Sequence, residues 1–181
     1  MRELSLHILD IAENALKANA STVTVHIVAD TKSDTLLIRI EDDGCGIPKK
    51  LLATAFDPFT TTRTTRPVGL GLPFLRAAAE SAGGGVVLSS TEGVGTTVTA
   101  TFGLSHIDRL PLGDLGSTFM SLVQHAPRIR QVWTVERDGT LYHLDTQEVL
   151  DMLDGVPIDD PDMLVALRDL INENTSFMEE I

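Results

Sequence analysis

One cysteine, Cys45, in 181 residues leaves no partner for an internal disulfide or a thiolate cluster. A zinc ribbon is thereby excluded, and a reducing compartment is expected. Cys45 stands between Gly44 and Gly46, where a packing or turn role explains it better than a catalytic thiol. No run of eighteen apolar residues is present, and Arg2 and Glu3 stand where a secretion signal needs its apolar core. The expectation is a cytoplasmic chain that neither spans nor binds a membrane. Clustered Lys and Arg are missing as well: 14 basic against 26 acidic residues give a net charge of −12, which argues against an electrostatic grip on DNA or RNA. Repeats and low-complexity segments are absent too.

The length suits one medium domain, or one domain with a smaller appendage, and the apolar content can fill a core. Charge is unevenly placed. Residues 1–105 hold 11 acidic and 9 basic residues, whereas 106–181 hold 15 and 5, so the second stretch carries −10 of the total. That shift predicts a domain boundary near Ser105, followed by an acidic interaction or dimerisation module whose charge is first of all a solvated surface.

Leu4, Ile8, Ile11, Ala12, Ala15 and Leu16 recur at helical spacing and predict an amphipathic helix from 3 to about 19. Val23, Val25 and Ile27 alternate, as do Leu36, Ile38 and Ile40, with a turn-prone stretch between them, which reads as a hairpin. A short helix over 48–55 and a Thr-rich loop over 57–68 come next, then a helix after Gly71 that stops at Gly83-Gly84-Gly85, and a second hairpin over 86–90 and 96–102. Strands that come in adjacent pairs favour an α+β fold, a two-layer α/β sandwich with a mostly antiparallel sheet. Beyond residue 105 a small αββαα module is expected, with helices near 114–125, 146–153 and 161–173 and a hairpin turning on Asp138-Gly139.

Glycines gather as they do around phosphates, yet no Gly-Lys-Ser/Thr follows them, and Phe74 stands where a dinucleotide fingerprint needs its third glycine. A nucleotide pocket must be built from other parts. On the first helix Asp10, Asn14 and Lys17 share one face, which is either an ordinary wet face or an oxygen-donor pair able to hold Mg²⁺ and orient a water. Asp42-Asp43-Gly44-Cys45-Gly46-Ile47 places a carboxylate at a strand end beside a turn that glycine alone enters easily; it is a plain turn, or a seat for a flat base. Gly69-Leu70-Gly71-Leu72 opens a helix whose free N–H groups favour phosphate, or is a plain loop-to-helix joint, and Arg63 and Arg66 just before it either reach phosphate oxygens or keep an exposed loop soluble.

Together these segments resemble the GHKL (Bergerat-fold) ATPases, the superfamily of histidine kinases, gyrase-type topoisomerases and mismatch-repair ATPases of the MutL kind. Asp10 to Ala20 is similar to the N box, Asp42-x-Gly44-x-Gly46 to the first glycine box, and Phe56-Asp-Pro-Phe59-Thr-Thr-Thr-Arg63 to the F box and the start of the ATP lid. Gly69-Leu70-Gly71-Leu72 matches the second glycine box, and Gly95-Thr96 the closing threonine motif. The resemblance covers about residues 3–103 and implies ATP and Mg²⁺ as cofactors in a histidine-kinase-like domain. It implies Asn14 as magnesium ligand, Asp42 as reader of the adenine amino group, Thr96 as a water-mediated partner there, and Gly69 and Gly71 as phosphate-side backbone. Lys17, Ile47, Phe59, Leu70 and Leu72 belong to the same boxes, and Arg63 falls where many histidine kinases have a lid lysine.

Two departures matter. Asp10 stands where hydrolysing members have a glutamate general base; a side chain one methylene shorter can miss the attacking water by roughly 1 Å, which can slow a reaction about a hundredfold. Pro67 replaces a frequent lid glycine and suggests a stiffer loop. No phosphoacceptor hairpin precedes the domain, so a stand-alone regulator is expected, one that phosphorylates or conformationally controls a protein partner. The alternatives are a non-catalytic ATP-dependent switch or scaffold and, more remotely, a MutL-like repair ATPase. His106 lies in a segment that faintly echoes a histidine-kinase acceptor box, but Ile107 stands where an acidic residue belongs, which favours a linker or capping role.

Overall fold

The computed structural model describes residues 1–57, 70–153 and 155–178. The first helix, α1 (Leu4–Lys17), buries Leu4, Ile8, Ile11, Ala12 and Ala15, the stripe expected from spacing. Its N-cap residue, Glu3, makes no side-chain cap. Instead the N–H groups of Leu4 and Ser5 donate to the carbonyls of Pro111 and Leu112 at 2.9 and 2.8 Å, so a segment a hundred residues away satisfies donors that an isolated helix would leave open.

Strands β1 (Thr22–Asp30) and β2 (Thr35–Asp42) form the first hairpin, and β3 (Gly85–Thr91) and β4 (Gly95–Gly103) the second. Between them lie the short helix α2 (Lys49–Leu52) and α3 (Gly71–Ser81). Then follow α4 (Leu115–His125), the hairpin β5 (Arg130–Arg137) and β6 (Thr140–Asp145), α5 (Thr146–Met152), α6 (Pro161–Asn174) and a closing 3₁₀ turn at Ser176–Met178. Local capping explains the later helices. Asp114 accepts from the Ser117 N–H at 2.7 Å, Asp145 from Gln147 at 2.9 Å, and Asp160 from Asp162 at 3.0 Å, with Pro161 in the first turn.

The strands form one six-stranded sheet in the order β3-β4-β2-β1-β5-β6, with every neighbouring pair antiparallel except β1 and β5. Helices α1 and α3 pack together, α3 lies over β3 and β4, α4 packs on α1, and α6 packs on α4. The α+β sandwich and the αββαα order of the last third are as expected.

The charge boundary at Ser105 does not coincide with a break in the architecture. Residues 106–181 continue the sheet, because the crossover through α4 delivers β5 parallel to β1 along eight paired positions from Thr22–Arg130 to Ala29–Arg137. Trp133, opposite Val25, is buried and meets Phe119 of α4 edge-on, with ring centroids 6.0 Å apart, inside the same core as Ile8 and Ile27. Charge asymmetry reports which surface faces water, and that need not follow the layers beneath it. Among the described residues no helix is long and apolar enough to cross a membrane.

Candidate functional site

Strand parity builds the first wall of the site. Leu36, Ile38 and Ile40 of β2 point into the core, and so do Val98, Ala100 and Phe102 of β4. With a period of two, Asp42 and Thr96 continue those same inward series, and they are directly paired. Ser90 continues the inward series of Val86 and Leu88 on β3 and pairs with Thr96. The sheet's helix-covered face therefore ends in a polar row, Ser90–Thr96–Asp42, while the rows behind it are aliphatic.

Asp42 and Asp43 have different jobs. Asp43 accepts the N–H groups of Ser21 and Thr22 at 2.7 and 2.8 Å and the Ser21 hydroxyl, which fastens the end of β2 to the start of β1. Its burial alone would raise its pKa, but these hydrogen bonds outweigh that and lower it. Asp42 is half-buried: burial raises its pKa, and the N–H groups of Gly44 and Thr96 partly offset this. Gly44 donates to Asp42 Oδ1 at 2.9 Å, so one oxygen is partly engaged within the turn. Asp42 thus continues the inward row of β2, whereas Asp43 is taken up by the turn.

The glycines of this turn are demanded by space. A side chain at Gly44 would put its Cβ 2.8 Å from Ala18 Cβ and 2.9 Å from Ala18 O. Gly46 has φ +67°, and a Cβ there would lie 2.2 Å from the Thr91 carbonyl oxygen. The turn is clamped further by Cys45 N–H to Ala18 O at 3.0 Å and Gly93 N–H to Cys45 O at 2.8 Å, and Ile47 follows it. Exposed Cys45 belongs to this turn.

Helix α1 forms the second wall. Ala18, which touches the glycine turn, is one turn from Asn14, and Asn14 one turn from Asp10, a line of about 12 Å at 1.5 Å per residue. At its far end stands α3: a Cβ at Gly71 would be 3.4 Å from Asp10 Cβ and 3.5 Å from Asp10 Oδ2. The N-terminal turn of α3, with Leu70 at its cap position and Gly71 and Leu72 inside it, has no acidic residue. Its dipole end thus opens beside Asp10, at the opposite end of the line from Asp42. The Asp10 pKa is raised, first by burial and then by Glu13, with Lys17 and the N-terminal amine acting the other way. Asn14 is exposed, whereas Lys17 reaches back to Glu13 at 3.4 Å. Phe59, Arg63 and Gly69, together with Arg66, Pro67 and most of the Thr-rich loop, lie outside the described residues.

The side chain that sequence reasoning missed is Ser90. Its hydroxyl receives the Ile47 N–H at 2.8 Å and lies 2.9 Å from Gly95 O and 3.0 Å from Thr96 Oγ1. A serine on the inward parity that Val86 and Leu88 begin is the available signal. His106 sits elsewhere. It packs at Gly83, just past the C-terminal end of α3, and its Nδ1 accepts the Asp108 N–H at 3.2 Å. Since α3 has eleven residues, this is about 16 Å from the end that faces Asp10. The structure gives His106 a turn-stabilising contact.

A sequence model of the "Histidine kinase-, DNA gyrase B-, and HSP90-like ATPase" family matches residues 2–106, more than half of the chain and the stretch that holds the Asp42–Thr96 pair, α1 and the start of α3. The chain belongs to this family. It is a histidine-kinase-like, ATP-binding domain of the GHKL type. Among curated relatives, Sensor histidine kinase WalK of Bacillus subtilis (strain 168) is 37% identical over 99 residues, covering 51% of this chain and 16% of WalK. Circadian input-output histidine kinase CikA of Synechococcus elongatus is 25% identical over 186 residues, covering 90% of this chain and 25% of CikA. The chain thus corresponds to a small part of either kinase. A crystal structure of the N-terminal domain of a DNA repair protein shares the fold, with a TM-score of 0.52 at 14% identity over 80% of this chain and 53% of that one.

Proposed function

We propose that this member of the family binds Mg·ATP along α1, with adenine at the Asp42–Thr96 end and the phosphates at the N-terminus of α3, and uses it to phosphorylate or conformationally control a protein partner. The observation that carries the reading is the continuous line Asp42, Gly44, Ala18, Asn14, Asp10, Gly71, which joins an acceptor site for a base to a donor site for anions. A half-buried carboxylate suits an amino group that can donate to it. Free N–H groups at a helix start suit phosphate oxygens.

The residues also fit magnesium. Among the described residues no three His, Cys, Asp or Glu side chains gather into a metal cage, so the donors available are the Asn14 amide oxygen with Asp10 one turn away. Asn14, with Asp10 behind it, would hold such an ion, whose charge would offset that of the nucleotide phosphates. Asp10 would orient the attacking group or a water. Residues 106–181, with their excess of acid, would select the partner or join two copies of the chain.

A second reading, the non-catalytic switch, is favoured by one detail. The Asp10 carboxylate lies against the start of α3, where its charge opposes an incoming phosphate and its short side chain reaches less far than a glutamate would. Calorimetric titration of Mg·ATP into wild type and Asn14→Ala, followed by radiolabelled phosphate transfer onto proteins of the source cell, separates the two readings. Binding weakened at least tenfold in the variant, with transfer by wild type, supports the kinase-like reading. Binding without transfer or turnover supports the switch, and absence of binding by wild type overturns both.

A further inference from the structure

Ser90 lies at the edge of the proposed adenine site, and its hydrogen-bond partners leave little freedom. The Ile47 N–H, 2.8 Å away, can only donate, so Ser90 Oγ accepts there. The Gly95 carbonyl, 2.9 Å away, can only accept, so the single Ser90 hydrogen goes to it. The third neighbour, Thr96 Oγ1 at 3.0 Å, then meets an oxygen with no hydrogen left to give. Thr96 must donate to Ser90. The hydroxyl hydrogen of Thr96 is thereby turned along the sheet toward β3, and only its lone pairs remain for a ligand beside Asp42, its partner on β2.

We infer that Ser90 is a positioning residue that fixes the hydrogen-bonding sense of Thr96 and so makes the base end of the pocket an acceptor-only surface, selecting 6-amino over 6-oxo purine nucleotides. This rests on the ATP reading above. Two neighbouring acceptors, the Asp42 carboxylate and Thr96 Oγ1, suit a group that donates, directly or through a water, and repel one that only accepts. Without the Ser90 oxygen, Thr96 is free to rotate its hydrogen toward the ligand and satisfy a 6-oxo group. The same hydroxyl also holds the Ile47 N–H and thus the exit of the glycine turn, so a purely structural role is the competing explanation.

The two are separated by nucleotide discrimination. Dissociation constants of ATP, GTP and purine riboside triphosphate, which lacks a 6-substituent, are measured with magnesium on wild type, Ser90→Ala, Ser90→Thr and Thr96→Val. The expected result is a fall of about tenfold in the GTP/ATP ratio of dissociation constants for Ser90→Ala, the scale of one hydrogen bond. Ser90→Thr, which keeps the hydroxyl, restores the wild-type ratio, and Thr96→Val, which leaves Ser90 and Ile47 in place, lowers it as Ser90→Ala does. Equal weakening of all three nucleotides by Ser90→Ala, with the ratio unchanged, overturns the inference and leaves the ATP reading intact. Failure of wild type to bind any of the three overturns the ATP reading and this inference with it.

Discussion

Acidification from pH 7 to pH 5 should destabilise this protein through one residue, His7. The imidazole is buried on α1 one turn before Asp10, and its Nδ1 has no hydrogen-bond partner. Burial, and then the N-terminal amine, lowers its pKa from 6.5 to about 4. The unfolded chain therefore binds a proton that the folded chain refuses between those two values. Stability is complete above the unfolded pKa and is lost as pH falls toward the folded one, the direction expected of a histidine held neutral. With 6.5 unfolded and about 4 folded, the loss at pH 5 is about 2 kcal/mol, against about 0.2 kcal/mol at pH 7. For a chain of this length that is a drop of about 4–8 °C in Tm. Urea unfolding of wild type and His7→Leu at pH 7, 6 and 5 isolates the effect, because the other four histidines and every carboxylate are common to both proteins. Leucine has no proton to take up and replaces a buried polar ring that has an unpaired nitrogen. The stability difference between the two should shift by about 2 kcal/mol in favour of the variant between pH 7 and pH 5. A difference constant to within about 0.5 kcal/mol, or an imidazole resonance of His7 titrating near 6.5, would refute the reasoning.

Two further substitutions test the fold and the turn. Trp133→Ala removes the largest fully buried side chain, its edge contact with Phe119 and its hydrogen bond to Gln131 Oε1 at 3.2 Å; a loss of about 3–5 kcal/mol is expected, read as a lower urea midpoint at unchanged slope. A loss under about 1 kcal/mol would mean that β5 does not share the core of the ATP-binding part. Gly46→Ala forces a Cβ to within 2.2 Å of the Thr91 carbonyl oxygen at positive φ, so stability should fall by more than about 1 kcal/mol and ATP affinity with it. Unchanged thermal unfolding and unchanged calorimetric affinity would show that the turn relaxes at no cost.

Much of this architecture was readable in advance because the signals were local. Period and punctuation located α1, both early hairpins and the later αββαα run, and the glycine turn after Asp42 announced itself through residues that few other backbones need. The partner of β5 was not readable. Nothing in the alternation of Gln131, Trp133 and Val135 says that the neighbour is β1, a hundred residues earlier and parallel, since pairing across a crossover is decided by which core the strand helps to close. The shift in charge near Ser105 pointed to a division that the sheet does not make, because most of the described acidic residues beyond it face solvent rather than a seam. Ser90 and His7 were hidden for a related reason. Each is a polar residue on an inward parity or helix face, and its meaning depends on what folding alone supplies: Thr96 and Ile47 as partners for one, burial with an unpaired Nδ1 for the other.

The parallel pairing of β1 with β5, taken with the carbonyls of Pro111 and Leu112 that close the start of α1, bears on how such a domain can be exchanged between proteins. The stretch that matches the family ends at residue 106, before either support begins. Transplanted alone into a chimaera, it would carry β1 as a bare outer strand and α1 with its first amides unanswered, a surface ready to pair with the wrong chain. In this protein the exchangeable unit is longer than the recognisable one, and a graft that respects the sheet must take the acidic last third along.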